Sequence, residues 1–127
     1  MNEFEAAVTK HSRIDQSFLI LLENVEKFQD IETGIVFILA VWSFPSLAQF
    51  SLLTEHLSRL NLGDLKIYVM DTDILTYDDL KRKLFPVPHG WGETFWIKNR
   101  KIEHFMNSKE HDVSKIVLYT SELFAEK

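Results

Sequence analysis

Residues 34–73 read GIVFILAVWSFPSLAQFSLLTEHLSRLNLGDLKIYVMDTD, two apolar runs separated by a stretch of helical periodicity. Ile35 to Val41 is apolar without alternation, the pattern of a strand covered on both faces, so it is expected to be the central strand of a sheet flanked by helices. Pro45 stands where the first turn of a helix tolerates a missing N–H. Leu47, Phe50, Leu53, Leu57 and Leu60 follow at spacings of three and four, with Gly63 expected to end that helix. Leu65 to Asp71 is a second buried strand. A right-handed crossover through the helix makes the two strands parallel neighbours.

Between the first strand and its helix stands Trp42-Ser43-Phe44-Pro45-Ser46. This phrase resembles the active-site motif of the thioredoxin family, Trp-Cys-x-Pro-Cys, with serine at each cysteine position. Further on, Gly90-Trp91-Gly92-Glu93-Thr94-Phe95-Trp96-Ile97-Lys98-Asn99-Arg100 is similar to the family's Gly-Ile-Pro-Thr segment, its apolar strand and its Lys-Asn-Gly hairpin. The matched segments span roughly half the chain and occur in the family's order, which weighs more than either motif alone. The resemblance implies a thioredoxin-like three-layer α/β/α sandwich around a mixed sheet, its parallel strands followed by a C-terminal antiparallel hairpin.

The departures concern chemistry. A serine hydroxyl ionises far above a thiol and forms no S–S bond, so it cannot carry thiol-disulfide exchange. With Lys98-Asn99 as the anchor of the comparison, the family's cis-proline falls on Gly92 and its buried aspartate on Phe37. The lysine beside that aspartate falls on Val69, and the proline that kinks the long helix falls on Ser51. The acid and lysine that move protons to a buried thiol are thus replaced by apolar residues. A trapping variant with only its cysteines replaced would keep the cis-proline, the aspartate and the lysine, so the resemblance implies a divergent, redox-inactive member.

Composition agrees with one compact domain over residues 1–127, of which 46% are hydrophobic and 26% charged. Ten Phe, three Trp and three Tyr supply a core without disulfides, and there is no cysteine. The net charge of -5 argues against a nucleic-acid partner. No apolar run reaches membrane-span length, and Glu3 and Glu5 stand where a secretion signal would be basic, so no membrane association and a cytoplasmic location are expected. Asn2 to Lys10 reads as a short helix or, with residues 1–13, an arm. Asp15 to Phe28 reads as an amphipathic helix, with Phe18, Leu21, Leu22, Val25 and Phe28 at helical spacing. Thr76 opens a shorter helix that must finish before Pro86. Thr94–Lys98 and Lys101–Met106 form a hairpin across Asn99-Arg100. A last helix from Asp112 to about Phe124 is expected to bury Val113, Ile116, Val117, Tyr119 or Thr120, and Leu123.

In an open α/β sheet the usable crevice lies beyond the carboxyl ends of the parallel strands, where the 43–46 turn and the 89–93 loop should meet. The candidate binding groove is therefore Trp42, Ser43, Phe44, Pro45, Ser46, His89, Trp91, Gly92 and Glu93. The thioredoxin family holds extended peptides on this surface beside its cis-proline, which implies a recognition site kept after catalysis was lost. The alternative is structural: the tryptophans pack the loops, a serine caps the long helix, and the loop glycines permit close approach to the turn.

Other chemistries have less support. Ser43 and Ser46 with His89 and Glu93 lack a Gly-x-Ser-x-Gly elbow, so no catalytic residue is assigned. Asp71-Thr72-Asp73 is a short acidic motif without a third ligand, and His11, His56, His89, His104 and His111 lack zinc spacing. No metal and no cofactor are expected. Two functions remain open: a bacterial-type, non-catalytic module that holds a protein or peptide as an adaptor, chaperone-like factor or antitoxin, or an enzyme of non-thiol chemistry with a small-molecule pocket.

Overall fold

A computed structural model describes residues 2–75 and 89–125. The helix expected from Thr76 lies outside these residues. Five strands form one sheet in the order β1-β3-β2-β4-β5. Their ranges are β1 Leu19–Leu22, β2 Thr33–Leu39, β3 Ile67–Asp71, β4 Thr94–Lys98 and β5 Lys101–Met106. β1 and β2 both run parallel to β3, while β4 runs antiparallel to β2 and β5 antiparallel to β4. The expected mixed sheet is present, and its parallel half places the β2 and β3 carboxyl ends at one edge.

Continuous apolarity in β2 follows from its two covered faces. Ile35, Phe37 and Leu39 join a core with Phe50, Leu53 and Leu57 of α3 (Phe44–Ser58), Val8 of α1 (Glu3–His11), and Ile116 and Leu123 of α4 (Val113–Leu123). Val36 and Ile38 face the opposite way and pack with Val25, Phe28, Ile31 and Phe95, next to the short helix α2 (Glu26–Gln29). Alternate residues of a strand leave opposite faces, so both sets must be apolar.

The reading of Asp15 to Phe28 as one helix is corrected. Gln16–Phe18 forms a single 3-10 turn capped by Asp15, Leu19–Leu22 is edge strand β1, and α2 holds one turn started by the Asn24 side chain accepting from Lys27 N at 3.0 Å. The four apolar residues Leu19 to Leu22 satisfy their backbone on β3 in the register Leu19 to Ile67 through Leu22 to Met70. Leu21 is exposed, so the apparent helical stripe never formed one face.

Two smaller expectations also shift. α3 ends at Ser58, and Gly63, at φ +55°, shapes the following turn instead of capping the helix. On α4, Val113 and Val117 are exposed, and burial falls to Ile116, Thr120 and Leu123. Thr120 is tolerated there because its hydroxyl accepts from Trp96 Nε1 at 3.0 Å.

The hairpin and amino-terminal helix form as read. Asn99 and Arg100 both have positive φ, 54° and 66°, which the tight turn between β4 and β5 requires. α1 is tied to α3 by Ser51 Oγ donating to His11 O at 2.7 Å and by Arg13 N donating to Thr54 Oγ1 at 2.9 Å. Ser51, at the position where the family has its helix-kinking proline, thus anchors a neighbouring helix.

Candidate functional site

Ser43 leaves the end of β2 in extended conformation and caps α3, its hydroxyl accepting from Ser46 N at 3.4 Å. The same hydroxyl donates to the carbonyl of Gly90 in the facing loop. Ser46, fully buried, accepts from Ala40 N at 3.0 Å and ties the start of α3 to the end of β2. At the two cysteine positions, then, stand hydroxyls committed to the backbone. Pro45 occupies the first turn of α3, as expected.

Two glycines let the 89–93 loop close onto this turn. A Cβ at Gly90 would lie 2.7 Å from the Trp42 ring, and one at Gly92 would lie 2.7 Å from Gln49 Cβ and 3.2 Å from the Phe37 ring. Both glycines also have left-handed backbone, φ +76° and +72°. Phe37, at the position of the family's buried aspartate, packs on Phe50 with ring centroids 5.0 Å apart. The Gln49 side chain and, behind it, the Phe37 ring therefore leave no room for a side chain at residue 92.

Glu93 is only 1% exposed. Its Oε2 accepts from the backbone N–H of His89 at 3.2 Å and of Trp91 at 3.4 Å, so the carboxylate gathers the loop around itself. Glu93 Oε1 and Gln49 Nε2, both buried, have no hydrogen-bond partner among the described residues. The carbonyl of Trp91 accepts from Ser108 N at 2.7 Å. Both main-chain groups of Trp91, the residue before the cis-proline position, are thus occupied. An extended peptide cannot pair with them without displacing Glu93 or Ser108.

Side chains on the rim differ. Trp42 is 63% and Phe44 79% exposed, on either side of buried Ser43. Trp42 Nε1 donates to Asp73 Oδ1 at 3.2 Å, which fixes the indole while leaving much of its surface in solvent. Trp91 is half-buried, with exposed His89 against it at 5.2 Å and Lys109 Nζ 3.4 Å from the centre of the indole ring. Asp71, at the end of β3, has its carboxyl pushed above the ordinary value. Burial is the main cause, opposed by the bond from Asp73 N and reinforced by the charges of Asp73 and Glu3.

The structure therefore brings all nine candidate residues to one edge of the sheet and divides them. Ser43, Ser46, Gly92 and Glu93 are buried, Trp91 is half-covered, and Trp42, Phe44, Pro45 and His89 face solvent. Sequence reasoning missed Lys109, Gln49 and Asp73 as parts of this neighbourhood. Asp73 carried a signal in its acidic motif, while the other two meet the site only through tertiary packing.

No protein-family model and no curated protein matches the chain. Among solved structures, the chain is similar to the crystal structure of thioredoxin from Trypanosoma brucei brucei, at 14% identity and a TM-score of 0.60. The match covers 88% of this chain and 96% of that one. At this identity the likeness speaks to architecture, and it agrees with the strand order and helix placement described above. The chain has the thioredoxin fold, built on a sequence without the cysteines of that fold's redox chemistry.

Proposed function

We propose that this chain is a non-redox, cytoplasmic binding module that holds a protein or peptide at the rim of the former redox groove, in an adaptor, chaperone-like or antitoxin role. The observation that carries the reading is the pair Trp42 and Phe44, large aromatics 63% and 79% exposed and flanking one buried residue. Rigid aromatics presented together supply contact area at low conformational cost and dominate binding energy at interfaces. Because the Trp91 backbone is occupied, the reading assigns recognition to side chains rather than to an added strand.

The test is a pull-down from the native host's lysate with the full chain and with Trp42→Ala/Phe44→Ala, bound proteins being identified by mass spectrometry. A partner retained by the wild type and lost by a folded variant is expected; equal capture by both removes the basis for this reading. The enzymatic alternative draws less support, since the Ser43 hydroxyl both donates to Gly90 O and accepts from Ser46 N, while Ser46 Oγ accepts from Ala40 N.

A further inference from the structure

Hydrogen bonds connect the aromatic rim to the end of β3, where a separate cavity opens. Trp42 Nε1 bonds to Asp73 Oδ1, and Asp73 N bonds to Asp71 Oδ1 at 2.9 Å, so two hydrogen bonds lead from the exposed indole to the end of β3. There Asp71 forms one wall of a cavity of about 320 Å³ between the start of α1 and the end of β1. Its apolar surface comes from Phe4, Leu21 and Ile74, and its polar rim carries Glu5, Glu23 and Asp71. Leu21 is exposed at the end of an edge strand. Among the described residues, no lysine or arginine lines the cavity. Glu23 is shared with Lys27 at 3.2 Å in an exposed pair, the kind that contributes little and yields readily to a competing cation.

Resting on the binding reading above, we propose that this surface docks a peptide segment combining Lys or Arg with apolar residues. A basic side chain enters the cavity, and apolar neighbours lie on Trp42 and Phe44. Long basic side chains suit such a site because an aliphatic stem covers apolar surface while the charged head meets carboxylates. The Asp71 carboxyl is pushed up mainly by burial, with the charges of Asp73 and Glu3 adding to it, so a cation placed beside it would offset both the lost solvation and the like charge. An acidic segment would set like charges against Glu5, Asp71 and Asp73, and a wholly apolar one would leave them desolvated without a counter-charge.

The experiment uses a random dodecapeptide library displayed on phage, panned on the full chain and counter-selected on Trp42→Ala/Phe44→Ala. A representative peptide from each enriched group is then synthesised and titrated. Excess Lys and Arg beside apolar residues is expected, with affinity falling about tenfold in Glu5→Gln/Asp71→Asn and falling again as salt is raised. Asn keeps the acceptor for Asp73 N, so loss of charge is separated from loss of the turn. Enrichment without a basic bias, or an affinity unchanged by the charge variant, overturns the inference and leaves the aromatic-rim reading standing. No enrichment over the counter-selected variant overturns both.

Discussion

The floor and the rim of the 42–46 turn are built to opposite rules. On the floor, Ser43 and Ser46 bond to backbone groups, Gly92 has no space for a side chain, and Glu93 is spent on two loop N–H groups. On the rim, Trp42 and Phe44 lie largely in solvent. The turn is thus divided into a part that holds the fold together and a part that faces outward. Substitutions on the floor should therefore cost stability, and those on the rim should cost only binding.

The largest stability loss is expected from Gly92→Ala. Left-handed backbone and a Cβ pressed 2.7 Å from Gln49 Cβ and 3.2 Å from the Phe37 ring add up to about 3 kcal/mol, read as a lower midpoint in denaturant unfolding. A change under about 0.5 kcal/mol would mean that the loop relaxes freely and that floor and rim are not separate. Next comes Glu93→Ala, which strands the N–H groups of His89 and Trp91 for a loss of about 2 kcal/mol, while Glu93→Gln keeps an acceptor and should lose less. Amide exchange at residues 89 and 91 checks the assignment: protection should drop in the alanine variant and largely persist in the glutamine one.

Much of the floor was legible in the chain because its residues announce themselves. The Trp42 to Ser46 phrase, the unbroken apolar strand before it and the tight Asn99-Arg100 turn each point to one local geometry, and all three formed. β1 was hidden because Leu19 to Leu22 belongs equally to a helical stripe and to a strand, and pairing with β3 decides between them. On α4 the apolar residues cover more than one face, so only packing shows that Val113 and Val117 stay outside. Glu93 was a candidate from its loop alone, but its burial, beside the close approach of Gly92 to Gln49, depends on segments far apart in the chain. Lys109 on Trp91 had no local signal at all.

A smaller floor effect belongs to Ser46→Ala, which leaves Ala40 N without an acceptor in a buried place and should cost about 1 kcal/mol by denaturant unfolding. Away from both regions, His111 tests whether acid sensitivity resides at the groove. Burial, then the neighbouring His56, holds its imidazole below the ordinary 6.5, with the Asp112 charge acting in the opposite direction. A lowered folded value means that the unfolded chain binds the proton first, so this contribution is intact above about 6.5 and is lost as pH falls below it. Unfolding curves across that window should therefore be flatter for His111→Asn than for the wild type. An unchanged slope would move the sensitivity elsewhere, with His11, also held below its ordinary value by burial and by Lys10 and Arg13, the next position to vary.

Phe44→Ala should have the least effect on folding and the sharpest meaning for the comparison. The ring is 79% exposed at the first position of α3, where alanine is a good helix former, so the stability change should stay within about 0.5 kcal/mol. If the rim is an interaction surface, the same variant weakens a groove-dependent peptide by about tenfold or more, as truncating an aromatic anchor does. That combination, unchanged folding with lost binding, is the inverse of Gly92→Ala and cannot arise from a general loosening of the turn. A Phe44→Ala chain that unfolds early would place the ring in the scaffold after all and erase the division between floor and rim.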